Sequence, residues 1–167
     1  MKYIVFLDFD GVLTSQRQHL AWSNNAYPMW SKFDPVAIEF LNRLCEKYDD
    51  VSIVWTTTWR NAMDDQLMTE HWIYTMFHNA GFRGKFGTPW RVNPENDKNL
   101  YGKRAKEIDL YLEKYKPDDF IIFDDMDYNF DAVLGKKRFV QTHHDDGMLT
   151  RHMKNALSLA GNWDRKR

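Results

Sequence analysis

The stretch Asp8-Phe9-Asp10-Gly11-Val12-Leu13-Thr14 follows Lys2-Tyr3-Ile4-Val5-Phe6-Leu7, a short apolar run rich in β-formers. Such a run predicts a buried central strand of a parallel sheet. The strand runs out into a glycine turn that carries two carboxylates one residue apart. If the extended backbone persists that far, a side-chain period of two puts both acids on one side. Such a pair repels itself unless a cation or a proton lies between its members. Open α/β folds place ligands at the C-terminal edge of the sheet. The pattern points to a divalent metal and an anionic substrate. A plain strand-ending Asp-Gly turn leaves the later companions of this motif unexplained.

Those companions lie at other element ends. Asp34-Pro35 opens a helix by the N-cap and N1 preferences, and Ala37, Phe40, Leu41, Leu44 and Tyr48 recur at helical spacing. Val51–Trp55 reads as a second buried strand that ends in Thr56-Thr57-Thr58-Trp59-Arg60. A helix is expected over Asp64–Asn79, stopping at Gly81. The Gly81–Asn99 region is rich in Gly, Pro and Asn and reads mainly as loop, with room for a short strand. A further helix is expected from about Asn99 to Tyr115, with Ile108, Tyr111, Leu112 and Tyr115 inward. Phe120–Phe123 forms a third apolar strand that meets Asp124-Asp125, and Arg138–Thr142 a fourth. Thr150 is expected to cap a last helix ending at Gly161. Strands alternating with helices imply a parallel sheet covered on both faces.

Bulk composition narrows the class. A chain of 167 residues, 43% apolar and 16% aromatic, suits one globular domain over 1–167. A net charge of −1 offers no global basic field for nucleic acid, although a local basic cleft is compatible with it. The single cysteine, Cys45, cannot form an internal disulfide and falls on the apolar side of a helix, as a buried thiol. No signal peptide is visible, and no segment approaches the ~20 apolar residues that span a bilayer. A soluble, cytoplasmic protein without a membrane role is expected.

Taken in order, the DxDG loop, the strand-terminal threonines, a later lysine and the Asp124-Asp125 doublet resemble the haloacid dehalogenase (HAD) superfamily of phosphohydrolases. The likeness runs along nearly the whole chain. It is closer still to the small HAD domains found alone or in multidomain RNA-repair proteins. Their second motif commonly reads like Thr57-Thr58-Trp59-Arg60, and they end like Phe139-Val140-Gln141-Thr142 with Gly147-Met148-Leu149-Thr150. Met148 is an extra residue relative to the usual Gly-Leu-Thr. The resemblance implies a three-layer α/β/α Rossmann-like HAD core with a mostly parallel sheet, capless or with a minimal cap.

It also implies an activity: a Mg²⁺-dependent phosphomonoesterase working through an aspartyl-phosphate, on a nucleotide or nucleic-acid terminal phosphate. Asp8 would be the nucleophile. Asp10 would protonate the leaving oxygen and then deprotonate water. The expected Mg²⁺ ligands are Asp8, the Asp10 backbone carbonyl and Asp124, with Asp125 near or through water. Lys103 would hold Asp8 and a phosphate oxygen, with Lys98 and Lys106 as open alternatives. A hydroxyl of Thr56 or Thr57 would donate to phosphate, and a one-residue ambiguity stays open between them. Gly11 and Arg60 are expected at the substrate. Asp127 and Asp131 are candidates to support the metal ligands.

Only about twenty residues separate Thr14 from Asp34, too few for an independent lid domain. An open cleft for a large phosphoester or a nucleic-acid end is therefore expected, with Trp22, Tyr27, Trp30, Trp59 and Trp90 near its rim. The phosphorylated substrate is the partner the sequence implies, and it points to no obligate protein partner. His143-His144-Asp145-Asp146 reads as a polar loop, because adjacent histidines point opposite ways and lack zinc-like company. Two rival classes stand beside the phosphatase. One is a receiver-like phospho-accepting signalling domain, disfavoured because its acid pair precedes its phosphorylated aspartate. The other is a noncatalytic nucleic-acid or protein adaptor on the same fold, disfavoured by intact Asp8 and Asp10.

Overall fold

The computed structural model describes residues 2–22, 33–61, 66–92 and 103–166. Five strands, β1 (Tyr3–Leu7), β2 (Val51–Trp55), β3 (Lys85–Arg91), β4 (Asp119–Asp124) and β5 (Phe139–Gln141), form one sheet in the order β3-β2-β1-β4-β5. Every neighbouring pair runs parallel. Helices α1 (Gln16–Trp22), α2 (Pro35–Lys47), α3 (Gln66–Asn79), α4 (Arg104–Tyr115), α5 (Phe130–Leu134) and α6 (Thr150–Leu159) accompany it, with a 3₁₀ turn at Thr58–Asn61.

Strand alternation sorts the core into two halves. Tyr3, Val5, Leu7, Ile53, Trp55, Ile121 and Phe123 meet residues of α2, α3 and α6 on one face. Ile4, Phe6, Val54, Phe120 and Ile122 meet Ala105, Ile108 and Tyr111 of α4 and Phe130 of α5 on the other. Because both faces are covered, β1, β2 and β4 read as nearly continuous apolar runs, interrupted inside β2 by the buried Ser52. The first face is strongly aromatic. Fully buried Trp55 packs against Trp90 at 4.5 Å and Phe86 at 5.2 Å, and Phe9 and Phe33 join the same cluster.

The helix start at Asp34-Pro35 forms as the capping rules require, with the Val36 N–H donating to Asp34 Oδ1 at 2.8 Å. Two expectations need correction. The region after Gly81, read mainly as loop, contains the seven-residue strand β3. Its Gly87 and Pro89 hide it in sequence, and Pro89 is tolerated because an edge strand has no partner on its outer side. Thr150 is the first residue of α6 rather than its cap. The cap position belongs to Leu149, whose N–H donates to His152 Nδ1 at 2.9 Å. Helices α1 and α5 are too short to show an apolar period. No helix among the described residues is long and apolar enough to cross a membrane.

The C-terminal segment closes the bottom of the sheet. Trp163 stacks on Tyr3 at 4.6 Å, and its Nε1 donates to Asp119 Oδ2 at 3.0 Å. Arg138 Nε donates to Asp119 Oδ1 at 2.8 Å. Burial raises the Asp119 carboxyl, but these two donors outweigh it and hold it below its ordinary 3.8. A depressed folded value stabilises the fold above the unfolded pKa, and that contribution fades as pH falls through the folded one. Asp119→Ala should therefore cost about 1–3 kcal/mol at pH 7. Urea midpoints should show the gap to wild type shrinking below about pH 4.

Candidate active site

Strands β1, β2 and β4 end level with one another. Leu7 pairs with both Trp55 and Phe123, so the next residues, Asp8, Thr56 and Asp124, stand side by side at the C-terminal edge. Backbone bonds continue the alignment one step further: Thr56 N–H to Leu7 O at 2.9 Å, Asp8 N–H to Phe123 O at 3.0 Å. The strand order reverses between β1 and β4, and ligands of open α/β sheets bind at such a switch point. Alternation settles the threonine ambiguity in geometry. Val54, Phe6 and Ile122 face α4. Two residues on, Thr56, Asp8 and Asp124 continue that face, which leaves Thr57 off it. The Thr57 hydroxyl accepts instead from the Trp59 N–H at 3.3 Å.

Asp8, Asp124 and Asp125 each bring a carboxylate oxygen within 4.8 Å of the others. The Arg104 guanidinium lies among them. Its Nη1 donates to Asp8 Oδ2 at 2.7 Å and also to Asp124 Oδ2. Side-chain exposure is only 8% for Arg104 and Asp8 and 0% for Asp124, so these charges sit almost out of water. Burial works against the Arg104 charge, but Asp8 and Asp124 outweigh it and raise its pKa. The Tyr128 ring lies 4.9 Å from the guanidinium carbon and covers it. Burial and then the Asp8 charge push Asp124 and Asp125 upward, with Arg104 pulling Asp124 the other way and His144 first among the groups that pull Asp125 back. Three acids facing one guanidinium leave negative charge unmatched. An all-carboxylate donor set with that excess fits a hard divalent cation such as Mg²⁺.

Asp10 parts company with Asp8. The strand stops at Leu7, so the condition for the two acids to share a face by strand alternation is not met, and Asp10 lies exposed beside the turn at 11–13. Its Oδ1 accepts from Thr14 Oγ1 at 3.2 Å and its Oδ2 from Trp59 Nε1 at 2.8 Å. Gly11 adopts φ +69°, and a Cβ there would come within 2.4 Å of Asp125 Oδ2, so only glycine lets the two acid loops meet. Thr142 ties this contact to the sheet, its Oγ1 donating to Gly11 O at 2.7 Å.

Among the described residues, the cation at the carboxylates is not one of the expected lysines. Lys103 precedes α4 and is exposed, Lys106 is also exposed, and Lys98 lies outside the described residues. The side chain among the carboxylates belongs to Arg104. The clue was in the helical phase: stepping back four from inward Ile108 reaches 104, whereas 103 lies about 100° away. Arg60 sits in the 3₁₀ turn with its side chain outside the described residues, as are Tyr27, Trp30 and the Trp22 side chain. Trp90 is half-buried against Trp55 in the aromatic core. Asp127 serves locally at the start of α5, accepting from Asn129 N–H at 2.8 Å, and Asp131 is exposed. His143 and His144 lie on an exposed turn, with His144 Nδ1 3.8 Å from Asp125 Oδ2.

Comparison with known proteins bears on the fold and the family. No curated protein matches the sequence. The fold matches the HAD domain of the effector protein Lem4 from Legionella pneumophila with a TM-score of 0.52 at 19% identity, covering 98% of this chain and 96% of that one. Residues 4–153 match the pattern of the HAD domain in Swiss Army Knife RNA repair proteins. With that pattern spanning both acid motifs and every strand, the chain belongs to the Swiss Army Knife branch of the HAD superfamily.

Proposed function

We propose that this domain is a Mg²⁺-dependent phosphomonoesterase acting on a nucleotide or nucleic-acid terminal phosphate through an aspartyl-phosphate at Asp8. The observation that carries the reading is the buried Asp8–Arg104–Asp124 arrangement at the switch point, with Asp125 alongside. Cations must screen a dianionic phosphate before an anionic nucleophile can approach it. Arg104 supplies one fixed, planar cation for Asp8 and an incoming phosphate oxygen. Asp8, Asp124 and Asp125, with the Asp10 carbonyl, would hold Mg²⁺, which when bound supplies the remaining positive charge.

In the first step an Asp8 oxygen attacks phosphorus and the bond to the leaving oxygen breaks. Asp10 gives that oxygen its proton. In the second step Asp10 takes a proton from water as the water attacks the aspartyl-phosphate, releasing phosphate and freeing Asp8. The Thr56 hydroxyl, on the face shared with Asp8 and Asp124, would donate to a phosphate oxygen. Receiver-like signalling domains follow the order 2-1-3-4-5, unlike the β3-β2-β1-β4-β5 order here. The substrate class rests on the RNA-repair proteins in which the matching family occurs.

Phosphate release should be measured on 4-nitrophenyl phosphate, nucleoside monophosphates and 3′- or 5′-phosphorylated oligonucleotides, with Mg²⁺ and with a chelator. Release that needs Mg²⁺ and is fastest on phosphorylated nucleotides or ends is expected. Asp8→Asn should abolish it in a protein whose circular dichroism is unchanged; wild-type rates in that variant would rule out covalent catalysis. Arg104→Lys, which loses the planar fork, should lower kcat/KM by about a hundredfold or more. Lys103→Ala should stay within about threefold of wild type, since surface charges contribute little. Equal losses at the two positions would overturn the assignment of the cation.

A further inference from the structure

Asp10 stands exposed on the turn, yet both of its carboxylate oxygens are held. One donor is the Thr14 hydroxyl, a rotor that can turn away. The other is the Trp59 indole, 49 positions away in sequence, at 2.8 Å from Oδ2. That indole is fixed on several sides. Phe9 meets its ring edge-on at 5.7 Å, Trp72 stacks on it at 5.7 Å with 14° between planes, and Phe33 lies at 6.3 Å. Its backbone N–H is anchored on the Thr57 hydroxyl. An indole N–H only donates, and it is far too weak an acid to pass its proton to a leaving group. What it can do is fix where the carboxylate points.

We infer that Trp59 is a positioning residue for the acid–base step: its N–H clamps Asp10 Oδ2 so that the carboxyl is turned toward the leaving oxygen. The inference rests on the proposed role of Asp10. The packing assigns the two acids to opposite sides of the sheet edge. Asp8 is fixed by Arg104 from α4, whereas Asp10 is fixed by Trp59 from the aromatic face built on Phe9. Near-attack geometry is sensitive to displacements of about 1 Å. A rigid ring gives an exposed aspartate the definition that a water-filled turn does not.

The test separates positioning from support by varying the leaving group. An alkyl phosphate expels a poor leaving oxygen that needs protonation, whereas 4-nitrophenolate leaves unaided. The quantity to compare is kcat/KM, which for these esters reports transfer to Asp8 and not the later hydrolysis. Two changes at Trp59 are compared with Asp10→Asn: Trp59→Phe, and replacement of the indole by benzothiophene, which keeps the ring shape and loses the N–H. Each should depress the alkyl ester more than the aryl ester, by about tenfold or more. If Asp10→Asn separates the esters and the benzothiophene protein lowers both equally or neither, the inference is overturned and the acid–base reading stands. If Asp10→Asn itself fails to separate them, both fall. Should Trp59→Phe unfold, the benzothiophene protein alone decides.

Discussion

One guanidinium between two buried carboxylates organises this molecule. Asp8 and Asp124 stand on adjacent strands at the same level, almost out of water, where two like charges cannot coexist unaided. Arg104 makes the arrangement possible by donating to both. Asp125 then adds a charge that Arg104 does not match. The fold thus supplies one cation of its own to a cluster of three carboxylates.

The sheet order supplies the geometry. Helix α4 lies over β1 and β4 because the chain returns to the other side of β1 after β3, and this crossover carries Arg104 to the junction. Gly11 lets the first loop press against Asp125, and Thr142 pins that loop to the end of β5. On the opposite face, large aromatic rings fill the space between the sheet, α2 and α3, and the same cluster reaches the edge as Phe9 and Trp59. Core packing and site geometry are continuous there, since one ring serves as both core wall and hydrogen-bond donor.

The legible parts of the sequence were those governed by short-range rules. Asp34-Pro35 announced α2 because a cap and a fixed φ act locally. β1, β2 and β4 were visible because burial on both faces leaves no polar alternation. β3 was obscured because Gly87 and Pro89 carry turn signals, while its pairing to β2 is set by distant contacts. Lys103 fits the expected cation by residue type and rough position alone, whereas the phase of Ile108 and Tyr111 points one residue on, to Arg104. Thr56 and Thr57 could not be separated until the end of β2 was known.

Strand and helix periods, together with the acid motifs, were enough to place this chain in an α/β class and to single out Asp8, Asp10, Asp124 and Asp125. These are properties of neighbouring residues, fixed by backbone stereochemistry and side-chain chemistry. Which cation met those acids, which threonine shared their face and what held Asp10 emerged only on folding. Each depends on register and helix rotation between segments as much as about a hundred positions apart, Arg104 and Asp8 being 96 apart and Trp59 and Asp10 49. A shift of one residue turns a side chain by about 100° on a helix, or to the opposite face of a strand, and only packing selects among the results.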